Sequence, residues 1–99
     1  MNFKVQVRRA AEIDVAEAQV WYETQQAGLG AEFHSEISRI FAVLTETPLI
    51  YPILHRDVRR VLVNRFPYLV WYRVVGDEVT VVACTHARQN PKKVASRFR

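Results

Sequence analysis

Four runs of the chain have the residue pattern of β-strands. Residues 3–7 (FKVQV) alternate apolar and polar side chains, as a half-buried strand does. Three later runs are rich in the β-branched and aromatic residues that favour a pleated sheet; they are residues 58–63, 68–75 and 78–85. An Asn-Arg-Phe-Pro segment separates the first two of these runs, and Gly76-Asp77 predicts a tight hairpin turn between the last two.

Two α-helices are predicted between the first strand and the others, because apolar residues there recur with helical spacing. In the first helix, which begins near Ala10, we expect a core-facing stripe of Ile13, Ala16, Val20 and Trp21, widened by Val15, Ala18 and Tyr22. In the second helix, residues 31–46, the stripe consists of Phe33, Ile37, Ile40, Phe41 and Leu44. Gly28-Leu29-Gly30 separates the helices and Pro48 ends the second one, which predicts an antiparallel helical hairpin.

The predicted order is β-α-α-β-β-β, an α+β fold in one domain over residues 1–99. We expect the helical hairpin to bury its apolar side on a small, mostly antiparallel sheet. Residues 49–55 are predicted to form a loop, because Pro48 and Pro52 interrupt this part of the chain. After His86 we expect a basic tail, punctuated by Pro91, with a short terminal turn or strand.

Charge is distributed unevenly along the chain. Residues 1–55 contain four basic and seven acidic residues, a net charge of −3, whereas residues 56–99 contain ten basic and three acidic residues, a net charge of +7. The second half is therefore predicted to contact an anionic partner, either a nucleic acid or an acidic protein segment. Eleven of the fourteen basic residues are arginines, which favours bidentate recognition of phosphate or carboxylate groups.

Composition argues against several classes of site and location. Cys84 is the single cysteine and lies in an apolar run, so we expect a small buried side chain and no internal disulfide. No Cys/His group has the spacing of metal ligands, and neither a metal nor another cofactor is predicted. The N-terminus lacks the apolar region of a signal peptide, and no apolar run reaches the about 20 residues of a membrane span. We therefore expect a soluble, cytoplasmic protein that does not bind membranes.

Four motifs in order resemble those of the RelE/ParE superfamily of bacterial toxins, which belong to type II toxin–antitoxin systems. They are AEIDV in the first helix (residues 11–15), VRR in the second strand (58–60), FPYLVWY (66–72) and HARQNP after the last strand (86–91). Each motif alone is weak, but their order and separation in a chain of 99 residues are specific to the superfamily. The resemblance covers nearly the whole chain.

The resemblance implies one of two activities. RelE-like members cleave messenger RNA on the ribosome, whereas ParE-like members poison DNA gyrase without catalysing a reaction. Cleavage beside a ribose 2′-hydroxyl needs a base, an acid and cations that stabilise the phosphorane-like charge. The motif alignment places Arg60 and Arg88 at two of the five positions that are charged or polar in the nucleases. The other three positions hold Leu62, Leu69 and Val94.

The nuclease alternative leaves Arg60, His86 and Arg88 as its catalytic set. In nucleases with a histidine near this strand end a tyrosine follows it, but here the next residue is Ala87. Leucine and valine neither transfer protons nor neutralise charge, so the ParE-like activity is favoured, and no catalytic residue is assigned under it. A third hypothesis is a non-toxic interaction module that binds its antitoxin and takes part in repression of their operon.

For a gyrase-binding toxin, basic residues are predicted to contact gyrase or the DNA that gyrase holds. The candidates are Arg59, Arg60, Arg65, Arg88, Lys92 and Lys93. Neighbouring residues of a strand face opposite sides, so either Arg59 or Arg60 is expected to pack against the helical hairpin. Its expected partner there is Asp14 or Glu17. Arg73, in the middle of a strand, is predicted to be structural.

The resemblance also implies a cognate antitoxin, which wraps the toxin with an amphipathic helix and an extended arm. A sheet edge accepts an added strand, and the groove beside a helical hairpin accepts the apolar face of a helix. Trp21, Tyr22 and Leu29 are the candidate antitoxin-binding residues, with core packing the favoured role for Trp21. Assembly of toxin and antitoxin into a larger oligomer is a further expectation.

Overall fold

The structure, a computed structural model, describes residues 2–98 and confirms the predicted order of elements, with one added strand and, where a terminal turn or strand was expected, one added short helix. The strands and helices are β1 (Lys4–Val7), α1 (Arg9–Gln25), α2 (Leu29–Glu46), β2 (Ile53–His55), β3 (Val58–Leu62), β4 (Tyr68–Val75), β5 (Glu78–His86) and α3 (Pro91–Ala95). Two short 3₁₀ helices, Pro48–Ile50 and Ser96–Phe98, follow α2 and α3.

The five strands form one sheet in the order β1-β5-β4-β3-β2. β1 runs parallel to β5, and every other neighbouring pair is antiparallel, so the sheet is mostly antiparallel as predicted. The helical hairpin packs on one side of the sheet, which we term the helix face. The C-terminal segment from α3 onward packs on the other side, which we term the tail face.

Strand β2 corrects the prediction of a loop over residues 49–55. Ile53 and His55 pair with β3 across a turn in which Arg56 has a φ of 54°. Pro48 and Pro52 precede the strand, so neither proline removes a hydrogen bond from its ladder. As the last strand of the sheet, β2 needs only one partner, and three residues suffice to form it.

The connection between α1 and α2 is tighter than predicted, since α2 begins at Leu29 instead of residue 31. Gly28 has a φ of 90°, a left-handed conformation that glycine adopts without steric cost. The carboxylate of Glu23 accepts hydrogen bonds from the backbone N–H groups of Gly28 (2.9 Å) and Gly30 (3.0 Å). A side chain of α1 therefore caps the N-terminus of α2, where free N–H groups favour a negative charge.

The core on the helix face buries the residues that were expected to widen the stripe of α1, and leaves the centre of that stripe exposed. Ile13, Val20 and Trp21 are 46%, 64% and 55% exposed, respectively. The buried residues of α1 are Ala11, Ala18 and Tyr22. The second helix follows the prediction: Phe33, Ile37, Ile40 and Leu44 are buried, and Phe41 is half-buried.

A second core lies on the tail face, under the segment that was predicted to be a tail. Asn90 caps α3 by accepting a hydrogen bond from the backbone N–H of Lys92 (2.9 Å), and Pro91 occupies the first helical position. Val94 and Phe98 of this segment are buried. The sheet residues buried with them are Val58, Trp71, Val82 and Ala83. The end of the chain thus completes the packing of the sheet.

The expected pairing of Arg59 or Arg60 with the first helix is wrong. The carboxylate of Asp14 instead accepts hydrogen bonds from the guanidinium of Arg97 (2.7 Å) and from the backbone N–H of Cys84 (2.9 Å). β1 is shorter than β5, so this N–H lies at a free edge of the sheet. Asp14 thereby joins α1, β5 and the C-terminal segment.

Candidate functional site

An apolar pocket opens on the tail face, beside the part that the C-terminal segment covers. Its walls are Pro52, Leu54, Arg60, Leu62, Leu69 and Ala87. The three leucines come from the neighbouring strands β2, β3 and β4, and converge on this pocket. Leu54 is 48% exposed and Leu62 is 62% exposed, so the walls are accessible to a partner. We term this feature the leucine pocket.

Arg60 is the charged residue in the wall of the leucine pocket. Its guanidinium carbon lies 5.3 Å from the centre of the Trp71 ring. Trp71 is buried, and its indole N–H donates a hydrogen bond to the hydroxyl of Thr85 (2.9 Å). Among residues 2–98, no carboxylate lies within ion-pair distance of Arg60. A half-buried cation on an aromatic ring is suited to an anionic group of a partner.

A β-bulge in β5 determines which face of the sheet the later side chains of that strand occupy. Tyr72 pairs with Val81 and Trp71 pairs with Ala83, so Val82 is an extra residue in β5. An extra residue inverts the alternation of side chains in the rest of the strand. Every side chain after the bulge therefore points to the face opposite to the one that a regular strand would give it.

His86 lies on the helix face as a consequence of the bulge. Its ring centroid is 5.3 Å from that of Tyr68, which packs against the helix-face core. Its Nδ1 atom accepts a hydrogen bond from the backbone N–H of Arg88 (3.0 Å), in the turn that follows β5. Arg60 projects from the tail face, because it contacts Trp71 there. Two of the three candidate catalytic residues, Arg60 and His86, are thus on opposite sides of the sheet.

Two predicted target-binding arginines are engaged within the chain itself. Arg59 donates hydrogen bonds to the carbonyl oxygens of Leu49 and Tyr51, which fixes the segment that precedes β2. Arg65 has a φ of 73° in the turn between β3 and β4, and its guanidinium pairs with Glu32 of α2 (2.9 Å). These contacts leave less of either guanidinium for a partner than Arg60 offers.

The remaining predicted target-binding residues, Arg88, Lys92 and Lys93, are exposed near the C-terminus. Lys92 lines a cleft that it shares with His55, Arg56 and the C-terminal segment. None of the residues that line this basic cleft also lines the leucine pocket. Of the predicted target-binding residues, Lys92 therefore lines a different cleft from the one that Arg60 lines.

The three predicted antitoxin-binding residues differ in their exposure. Tyr22 is buried, with its ring centroid 5.3 Å from Phe33 and 4.8 Å from Phe66. Trp21 stacks edge-on against Tyr22 but is 55% exposed, so the core role that we expected for Trp21 is wrong. Leu29 is half-buried against the helix-face core. Of the three side chains, that of Trp21 is the most accessible to a partner.

Arg73 and Cys84 have the structural roles that were predicted for them. Arg73 donates two hydrogen bonds to the carboxylate of Asp57 (3.1 and 2.9 Å) and one to the carbonyl oxygen of Phe98 (3.0 Å). The hydrogen bond from Arg73 lowers the pKa of Asp57. Burial raises the pKa of the Cys84 thiol to about 12, so this side chain stays protonated at neutral pH.

Sequence reasoning missed two walls of the leucine pocket, Pro52 and Leu54, because residues 49–55 were predicted to form a loop. The signal that was present is the short run Ile53-Leu54-His55, which begins with a β-branched residue and follows a proline. Within the described range, no cluster of three or more His, Cys, Asp or Glu residues could hold a metal ion. In the same range, no helix combines the length and apolarity needed to cross a membrane.

Comparisons with known proteins agree on the fold. The solved chromosomal ParDE toxin–antitoxin system of P. aeruginosa superposes with a TM-score of 0.76 at 17% identity, covering 85% of this chain and 95% of that one. A variant of the E. coli toxin RelE in the free state gives 0.72 at 16% identity, covering 98% and 94%. The RelBE2 toxin–antitoxin complex of Mycobacterium tuberculosis gives 0.62 at 16% identity, covering 87% and 99%. At these identities the likeness shows the fold alone.

The comparison of sequences identifies the family, which the comparison of folds does not. No match was found among curated protein sequences. The family model described as the ParE toxin of the type II toxin–antitoxin system parDE matches residues 5–91. This match extends from β1 to the first residue of α3 and confirms the predicted resemblance to the RelE/ParE superfamily. The chain therefore belongs to the ParE toxin family of type II toxin–antitoxin systems.

Proposed function

We propose that the chain acts in the cytoplasm as a non-enzymatic toxin that binds and poisons DNA gyrase. The observation that carries the proposal is the separation of Arg60 and His86 on opposite faces of the sheet. An RNA-cleaving site needs proton-transfer and charge-stabilising groups within hydrogen-bond reach of one phosphate. A sheet lies between these two side chains, so they do not flank one phosphate.

The residues beside Arg60 also favour binding over cleavage. Leu62 and Leu69 occupy positions that align with charged residues in the RelE-like nucleases. Both leucines line the leucine pocket. An aliphatic side chain contributes no proton and no charge to a reaction, but it contributes to binding when a partner removes it from water. The leucine pocket therefore offers what a docking surface requires, and apart from Arg60 its walls carry no group that transfers a proton or stabilises charge.

The test is a gyrase assay run beside a translating extract. We expect the purified toxin to block DNA supercoiling by gyrase and to accumulate gyrase–DNA cleavage complexes, while messenger RNA in the extract stays intact. The same toxin saturated with its antitoxin is the control and should have no effect on gyrase. Codon-specific cleavage of messenger RNA would refute the proposal and favour the nuclease alternative. Normal growth of cells that express the toxin without antitoxin would favour the non-toxic module.

We also propose that the antitoxin covers the exposed side of α1. Ile13, Val20 and Trp21 recur at helical spacing around the exposed Glu17, and form an interrupted apolar stripe that the fold leaves in water. Trp21 also borders a cleft that it shares with Pro67 and Tyr68. An amphipathic helix of a partner would bury such a stripe, and an exposed aromatic residue is a frequent energetic anchor in protein interfaces.

Substitution on this stripe tests the antitoxin interface. We expect Trp21→Ala and Val20→Glu each to weaken antitoxin binding by roughly tenfold or more, measured by calorimetric titration. Val75→Glu is the matched control, because Val75 is 69% exposed at the far end of β4. Wild-type affinity in both stripe variants would show that the antitoxin binds elsewhere.

A further inference from the structure

The leucine pocket exposes apolar surface that the fold itself does not use. Leu62 is 62% exposed and Leu54 is 48% exposed, whereas the other half of the tail face is covered by Val94 and Phe98. Apolar residues that converge from three strands on one concave spot differ from the single exposed hydrophobic residues that every surface carries. A partner that fills the pocket would gain the free energy of removing these leucines from water.

Arg60 indicates the charge of that partner. Five other arginines donate side-chain hydrogen bonds to groups of the chain itself: Arg8, Arg59, Arg65, Arg73 and Arg97. Within residues 2–98, the guanidinium of Arg60 contacts the Trp71 ring but makes neither a hydrogen bond nor an ion pair. Its donors are therefore available, and the ring beneath holds the guanidinium at the rim of the pocket. A carboxylate is the complement of such a group.

The composition of the pocket favours a protein segment over DNA. Binding to DNA relies on many contacts between cations and phosphates, and base reading requires hydrogen-bonding side chains. Arg60 is the charged residue among the six that line this pocket, and the other five are apolar. Apolar walls with one convergent polar group are typical of sites that take an aliphatic or aromatic side chain of a protein partner.

We propose that the leucine pocket binds a protein segment of the toxin's target, which places an apolar side chain between Leu54, Leu62 and Leu69. An Asp or Glu of that segment, next to the apolar residue, pairs with Arg60. This inference rests on the proposed function, with gyrase as the target. It adds that the leucine pocket contacts the gyrase protein and not the DNA that gyrase holds.

Leu62→Asp tests the pocket with little risk to the fold, since the side chain is mostly exposed. The new carboxylate makes the pocket polar and competes for Arg60. We expect the half-maximal inhibitory concentration for gyrase supercoiling to rise by roughly tenfold or more. Val75→Asp, an equally exposed apolar residue outside the pocket, should inhibit gyrase like the wild type. Both variants should keep the wild-type thermal midpoint within a few degrees, and Arg60→Gln should weaken inhibition as well.

Photocrosslinking identifies what occupies the pocket. Benzoylphenylalanine in place of Leu62 is irradiated with purified gyrase and DNA, and we expect an adduct with a gyrase subunit. An adduct with DNA alone would overturn the inference, as would full inhibition of gyrase by the Leu62→Asp variant. Either result leaves gyrase poisoning itself intact. Failure of the wild-type toxin to inhibit gyrase has a different meaning, because it removes the proposed function and the inference together.

Discussion

Gly30 of α2 lies close against the backbone of α1. A Cβ atom added there would lie 2.7 Å from the carbonyl oxygen of Gln19 and 2.9 Å from a carboxylate oxygen of Glu23. The nearer atom belongs to the backbone of α1, so the helices would have to separate. We expect Gly30→Ala to lower the free energy of unfolding by about 1–3 kcal/mol, measured by urea denaturation.

Gly28→Ala is the control for this prediction. No atom lies within 4 Å of a Cβ added at Gly28, so the cost there is the left-handed backbone alone, about 1 kcal/mol. Gly30→Ala should also disturb the hydrogen bonds from Glu23 that cap α2. Equal losses of stability in the two variants would argue against the close approach as the reason for glycine at position 30.

Two buried acids, the phenol of Tyr72 and the thiol of Cys84, make the fold sensitive to alkali. Burial raises the pKa of each to about 12, from ordinary values of 10.0 and 9.0. Folding favours the protonated forms, so their contribution is complete below pH 9 and is lost as the pH rises towards 12. We expect the free energy of unfolding to fall by roughly 5 kcal/mol over this range, because each group costs about 1.4 kcal/mol for every pH unit between its unfolded and folded pKa; urea denaturation at stepped pH measures the fall.

Tyr72→Phe separates the phenol from the thiol in that experiment. The variant has no phenol to ionise, so its stability should fall less steeply between pH 10 and pH 12. It should also be less stable at neutral pH by about 1–2 kcal/mol, because the Tyr72 hydroxyl donates a buried hydrogen bond to the carbonyl oxygen of Pro48 (2.6 Å). An unchanged alkaline slope would exclude Tyr72 as a source of the effect.

At the scale of elements, one carboxylate joins three parts of the chain. Asp14 of α1 accepts from the N–H of Cys84 in β5 and from Arg97 in the C-terminal segment. Asp14→Ala leaves that N–H without an acceptor and releases the arginine. We expect a loss of about 2–3 kcal/mol in the free energy of unfolding and faster hydrogen exchange at the Cys84 amide. Glu17→Ala, an exposed position one turn later, should change stability by about 0.5 kcal/mol at most.

Sequence patterns predicted the helices and strands better than they predicted which face of each element is buried. α2 has one clear apolar stripe, and that stripe is buried. α1 has apolar residues on more than one side, so periodicity could not choose between Trp21 and Tyr22 as the buried aromatic residue. Tertiary packing made that choice, because Tyr22 lies against Phe33 and Phe66 in the helix-face core. The exposed stripe left over is the surface for which a partner is proposed.

The candidate site could be predicted only in part for a related reason. The motif alignment identified Arg60, Leu62 and Leu69, which the structure does bring together. It could not place His86, because the face of that residue depends on a bulge at Val82. A bulge results from the pairing of whole strands, and a run such as Val79 to Cys84 contains no local sign of it.

At the scale of the whole molecule, the sheet separates two cores, and the second depends on the end of the chain. Val94 and Phe98 cover Trp71 and Val58 on the tail face. Phe98 also offers its carbonyl oxygen to Arg73, so ring and backbone both hold the segment in place. Removal of the ring exposes one side of a sheet whose other side remains packed by the helices.

Phe98→Ala tests this dependence. We expect a loss of about 2–4 kcal/mol in the free energy of unfolding, less than a central core residue would cost because the segment can partly collapse. The ring centroids of Phe98 and Trp71 are 5.2 Å apart, so the indole should become wetter and its fluorescence emission should shift to the red. Trp21, the other tryptophan, is exposed and would mask the shift, so both proteins should carry Trp21→Phe. Loss of stability with no change in Trp71 emission would mean that the segment holds the fold through Arg73 and Arg97 and not through the second core.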